Sequence, residues 1–102
     1  MIDYKRINNN FKRIKKLLNS DEKKQYVDGF YFNEKAIDEI EKAQINYFLN
    51  SNYNLTTSDV LNFIYDNKNI NDVKNYLFLE YKEEYAKSWY ENFLEILNNL
   101  KR

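Results

Sequence analysis

A chain of 102 residues with no His, no Cys, no Pro, one Gly, ten Tyr, seven Phe and one Trp excludes disulfides, thiolate chemistry and imidazole acid–base catalysis. Hydrophobic residues make up 43% and charged residues 31%, the balance of a globular chain and not of a disordered one. Sixteen basic and sixteen acidic side chains cancel, so no bulk charge steers the whole chain toward an anionic partner.

The length predicts a single helical domain over 1–102, in which folding hides about 60–70% of the surface of the extended chain. The longest apolar run, Tyr76-Leu77-Phe78-Leu79, is far below the roughly 18 residues of a membrane span. No apolar stretch of signal-peptide length follows the first residues. A cytoplasmic protein with no membrane association is therefore expected. The abundance of Asn, Lys, Ile, Tyr and Phe, all with A/T-rich codons, points to a low-GC bacterial, phage or plasmid gene. With so many Tyr and Phe, an aromatic-rich core is expected.

Charge is unevenly placed. Residues 1–20 hold Lys5, Arg6, Lys12, Arg13, Lys15 and Lys16 against Asp3 alone, a net of +5. The other 82 residues hold ten basic and fifteen acidic side chains, a net of −5. In the same first segment Tyr4, Ile7, Phe11, Ile14 and Leu18 step by three and four, one stripe of a helix, with the basic groups across the opposite side.

Asn19-Ser20-Asp21-Glu22 either ends that helix or caps a short following turn. Over 25–32, Asp28-Gly29 between β-favouring triplets reads either as a two-residue hairpin or as the left-handed cap of a short helix. Asn33 caps a second helix running to about Asn50, with Ala36, Ile37, Ile40, Ala43, Tyr47 and Phe48 inward and Glu34, Asp38, Glu39 and Glu41 outward. After a loop at 50–54, Thr56 and Asp59 form a capping-box pair and Leu55 with Val60 has the spacing of a hydrophobic staple. This third helix runs to about Asn67 on Val60, Leu61 and Ile64, with Phe63 as a further candidate for the inward face.

From Asn71 to Lys101 no helix breaker occurs, and one helix there would be about 45 Å long. Its apolar face moves, however. Ile70, Val73, Leu77 and Tyr81 mark one side, while Tyr85, Trp89, Phe93, Ile96 and Leu100 lie about 100° further round. The segment either breaks near Lys82-Glu83-Glu84 or packs its halves on different layers. The fold class is thus all-α: four or five helices in a compact bundle, with a long C-terminal helix, continuous or broken, and a small hairpin or turn near 25–32.

Two surfaces stand out for recognition. Lys12, Arg13 and Lys16 on the basic side of the first helix suit phosphates or an acidic protein surface. No aromatic is interleaved with them for base stacking, so a solvated face, or one answered by the acidic helices, is the preferred reading. In the last helix the aromatic series is too dense for one core stripe. Trp89 and Phe93 are placed in the core, and Tyr85 and Tyr90, nearer its edges, are candidates for a partner or dimer surface. No catalytic residue, cofactor or metal site is expected. Di-iron chemistry lacks its His, and the Asp66–Asp72 run places Lys68 and Ile70 where a calcium loop needs oxygen ligands.

These residues favour a small non-enzymatic protein-binding inhibitor over an enzyme. Its partner is expected to be a larger protein such as a defence nuclease or a toxin. Small immunity proteins and anti-CRISPR inhibitors are analogous in size and fold class only. The alternatives are a DNA- or RNA-binding regulator using the basic helix, and a structural subunit or homodimer assembling through the last helix.

Overall fold

The computed structural model describes residues 2–20, 22–47 and 55–100. Helix α1 spans Tyr4–Leu18, and Asp3 caps it by accepting the Arg6 backbone N–H at 3.2 Å. Ile7, Phe11, Ile14 and Leu18 are buried as the stripe predicts, joined by Asn10. Tyr4 is exposed.

The ambiguous segment is a hairpin, which amends the all-α description. Strands β1, Lys24–Val27, and β2, Phe30–Asn33, pair antiparallel with Val27 opposite Phe30. Asp28 and Gly29 both take positive φ, 49° and 93°, as a two-residue primed turn requires. Glycine enters that region without Cβ strain, and Asp tolerates it better than most residues do. The hairpin is stitched to the helices around it. Asn33 donates to Ser20 Oγ at 3.0 Å and accepts the Ala36 N–H at 3.1 Å.

That second bond starts α2, Glu34–Tyr47, which buries Ala36, Ile37, Ile40 and Ala43. Its expected continuation to Asn50, the Phe48 contact and the loop at 50–54 lie outside the described residues, as does the side chain of Tyr47. Helix α3, Thr57–Asp66, opens on the anticipated capping box, with Thr56 and Asp59 bonding reciprocally at 3.1 Å. Gln44 of α2 holds this start by donating to the Leu55 carbonyl at 2.7 Å and accepting from Thr57 at 2.6 Å.

The C-terminal segment is broken. Helix α4 covers Ile70–Glu80 and α5 covers Glu83–Asn98, with Tyr81 and Lys82 extended between them. The rotation of the apolar face is the cause: Ile70, Val73 and Leu77 on α4 and Ala86, Phe93, Leu94, Ile96 and Leu97 on α5 are all buried, and a straight rod cannot turn both rows inward. Glu83 and Glu84 favour the new start through the α5 dipole. Tyr81, assigned to the inward row, stays 42% exposed at the corner.

Helix α5 packs against α1, α2 and α4, while α1 also touches α2, α3 and β2. The assembly measures 37 × 26 × 26 Å. Among the described residues no helix is long and apolar enough to cross a membrane.

The core corrects one expectation. It is built mainly from Ile, Leu, Val and Ala, and Phe11, Phe32 and Phe93 are its only buried aromatics among the described residues. Nine other aromatics are exposed. Tyrosine hydroxyls need water or a partner, and the aliphatic stripes fill the interior without them.

Candidate interaction surfaces

The basic side of α1 divides into two groups. Arg6 reaches the C-terminal end of α5 and donates to the Leu100 carbonyl at 2.7 Å. Arg13 Nη1 holds both carboxylate oxygens of Glu39 on α2, at 2.6 and 2.7 Å. Its Nη2 donates to Asn10 Oδ1 at 3.3 Å, and Asn10 in turn donates to the Leu97 carbonyl at 2.7 Å. Lys15 caps α3, its Nζ within 3.2 Å of the Ile64, Tyr65 and Asn67 carbonyls. A cation at a helix C-terminus complements the helix dipole.

Lys5, Lys12 and Lys16 behave differently. Among the described residues they make no hydrogen bond or ion pair, and all three are exposed. At 100° per residue they lie within about 40° of one another, opposite the buried stripe, along about 16 Å of helix. Together with Asp3, Arg6, Asn9, Asn10 and Arg13 they line an open groove of about 730 Å³. The structure therefore brings Lys12, Arg13 and Lys16 to one face but ties Arg13 to the body through Glu39.

The aromatic surface is centred on the corner between α4 and α5. Phe63 of α3 packs on Phe93 in the core (5.9 Å between ring centroids) and on Tyr76 (6.2 Å). Tyr76 meets Tyr81 at 6.4 Å, Tyr81 meets Trp89 at 4.7 Å, and Tyr85 stacks on Trp89 at 6.0 Å. The rings form one continuous path from the interior to the surface. Along it runs a groove of about 490 Å³, lined by Phe30, Leu55, Phe63, Tyr76, Tyr81 and Trp89 with Asp59, Asn62, Asp66 and Asn67. Burial, then the neighbouring Tyr81 hydroxyl, then the Glu80 and Asp66 carboxylates hold the Tyr76 phenol above its ordinary value.

Of the two tyrosines singled out in the sequence, Tyr85 is 36% exposed and joins this surface through Trp89. Tyr90 is half-buried and faces elsewhere, with Lys74 Nζ 5.8 Å from its ring centroid. Burial first, and Tyr4 second, raise its phenol. Trp89, assigned to the core, packs against it but stays half-buried, because the Tyr81–Lys82 break turns its side of α5 toward the groove. Phe30, Phe63, Asp59 and Asp66 were not anticipated as parts of a surface. One signal for Phe30 exists: the primed Asp28-Gly29 turn fixes it as the first residue of β2.

Among the described residues no group of three or more carboxylates could hold a metal ion. Comparison with known proteins finds no matching family model, curated protein or solved structure, so the functional argument rests on these two surfaces.

Proposed function

We propose that the protein is a small non-enzymatic binding protein that docks on a larger protein and inhibits it by covering a surface, as inhibitors of defence nucleases or toxins do. The observation that carries this reading is the aromatic path that leaves the core at Phe63 and surfaces at Tyr76, Tyr81, Trp89 and Tyr85. Tyr and Trp combine large contact area with little rotamer freedom to lose, and they dominate protein-interface energetics. Tyr76 and Tyr81 each stay 42% exposed outside the buried core, and Trp89, which packs against the core in part, joins them, so the path presents aromatic area that a partner can cover.

The test is an affinity capture from lysate of a low-GC bacterium, with nuclease and at moderate salt, comparing the native chain with a Tyr81→Ser, Tyr85→Ser variant shown to be folded by circular dichroism. A stoichiometric protein partner held by the native chain and lost by the variant is the expected result. Retention of the same partner by the variant would remove the aromatic corner from the contact.

A second reading is favoured by the unpaired Lys5, Lys12 and Lys16 ridge: binding of DNA or RNA through phosphates. Anisotropy with a labelled duplex should then show affinity falling steeply with salt and vanishing in a Lys5→Glu, Lys12→Glu, Lys16→Glu variant. Arg13 is a poor probe, since its replacement also breaks the Glu39 pair.

A further inference from the structure

We propose that the groove between the hairpin, α3 and the α4–α5 corner receives an arginine or lysine side chain from the partner protein. This rests on the protein-docking reading above and names the chemistry of the occupant.

The lining makes two demands at once. Phe30, Leu55, Phe63, Tyr76, Tyr81 and Trp89 ask for apolar or π-face contact, while Asp59, Asp66, Asn62 and Asn67 bring carboxylates and amides to the same groove. Asp59 already accepts the Thr56 N–H and Asn67 donates to the Phe63 carbonyl, but the Asp66 carboxylate has no ion pair among the described residues, and a purely apolar anchor would cover it without a partner, which is unfavourable. A cationic side chain meets both demands, since its aliphatic stem lies along apolar surface and its charged tip reaches the carboxylates. The ring planes of Tyr76 and Tyr81 cross at 79° and those of Tyr81 and Trp89 at 89°, so the rings do not share one plane, and a cation is attracted to whichever ring face it meets. Arginine suits the site better than lysine because its planar guanidinium both stacks and forks toward a carboxylate.

Charge complementarity is unmet from within. Although the chain holds sixteen basic residues, none of the described residues lining the groove is Lys or Arg. Asp66 is the last residue of α3, where the helix dipole disfavours an anion. It makes no ion pair among the described residues, and Lys15 binds the neighbouring carbonyls instead. A carboxylate kept at an unfavourable helix end, beside a row of rings, has a use if a cation from outside comes to it.

The experiment is a titration of the ¹⁵N-labelled full chain with capped Ser-Leu-Arg-Leu-Ser peptide, and with counterparts carrying citrulline or Leu in place of Arg. Saturable shifts of the Trp89 indole and of α3 and α4 amides are expected, with the citrulline peptide at least tenfold weaker. Asp66→Asn should weaken the Arg peptide several-fold while leaving the melting temperature unchanged or raised. Equal binding of all three peptides at Trp89 would overturn the cation assignment yet leave the groove as a docking surface. Shifts confined to other faces, or no shift with any peptide, would also overturn it, and the capture experiment would still decide the docking reading by itself. Concentration-dependent shifts of the protein alone, abolished by Lys5→Glu, Lys12→Glu, Lys16→Glu, would assign the groove to a second copy and overturn the partner assignment.

Discussion

On α1, Arg6, Arg13 and Lys15 turn back to the body and occupy a carboxylate or the carbonyl ends of neighbouring helices, whereas at the α4–α5 corner Tyr76, Tyr81 and Tyr85 remain at the surface among other rings. The difference lies in what a helical fold has to offer. Helix C-termini present unpaired carbonyls that a long cationic side chain can reach, so part of the positive charge on α1 is absorbed internally, while Lys5, Lys12 and Lys16 stay in solvent. Surplus aromatic area has no such outlet once an aliphatic core is closed.

The sharpest way to break this comparison is to truncate one ring of the aromatic path in the core and one at the surface. Phe93→Ala, in a side chain with no exposed area that packs on Phe11 and Phe63, should lose about 3–5 kcal/mol of stability in chemical denaturation. Tyr81→Ala should lose about 0.5–1.5 kcal/mol, the range of an aromatic pair. Equal losses would show that the corner belongs to the core.

A smaller effect tests the polar side. Asn10 is buried and spans from the Leu97 carbonyl to Arg13, so Asn10→Ala should lower stability by about 0.5–1.5 kcal/mol through the lost hydrogen bond, the carbonyl keeping its long contact to the Leu100 N–H at 3.4 Å. Smaller again is Lys15→Met, expected at about 0.3–1 kcal/mol. Faster hydrogen exchange near the end of α3 would identify its cause, and unchanged exchange there would mean that Lys15 contributes nothing to that helix end.

The least effect at neutral pH is a titration. Tyr76 and Tyr90 have phenols raised above 10.0 in the folded chain, so the unfolded chain releases those protons first. Their contribution is fully present below pH 10 and is lost progressively above it. Melting temperatures followed from pH 9 to 11 should fall less for Tyr90→Phe than for the native chain. A parallel fall would remove Tyr90 from the effect.

Much of the fold is legible in the sequence because local signals agree with tertiary ones. The Thr56–Asp59 box, the Asn33 cap and the α1 stripe each act within four residues, and each appears where expected. The break before Glu83 is legible only as an alternative, since no Pro or Gly marks it and the drift of the apolar face is its sole trace. The groove is not legible at all as a unit. Phe30, Phe63 and Trp89 are separated by tens of residues, and only the bend at Tyr81–Lys82 brings α4 and α5 round to join them. Arg13 likewise looks like its neighbours Lys12 and Lys16 in sequence, and only the placement of Glu39, 26 residues on, sets it apart.

The Asn10 bond to Leu97 has a consequence for the order of events during synthesis. Its acceptor lies 87 residues downstream, and the Arg6 acceptor lies 94 downstream, so the first helix leaves the ribosome long before either exists. Until α5 arrives, the apolar stripe of α1 lacks its main neighbour, and closing so long a loop is entropically unfavourable. The lysine-rich helix is thus made before the other described elements yet is among the last to be locked, and a nascent chain stalled before Leu97 holds it unclamped.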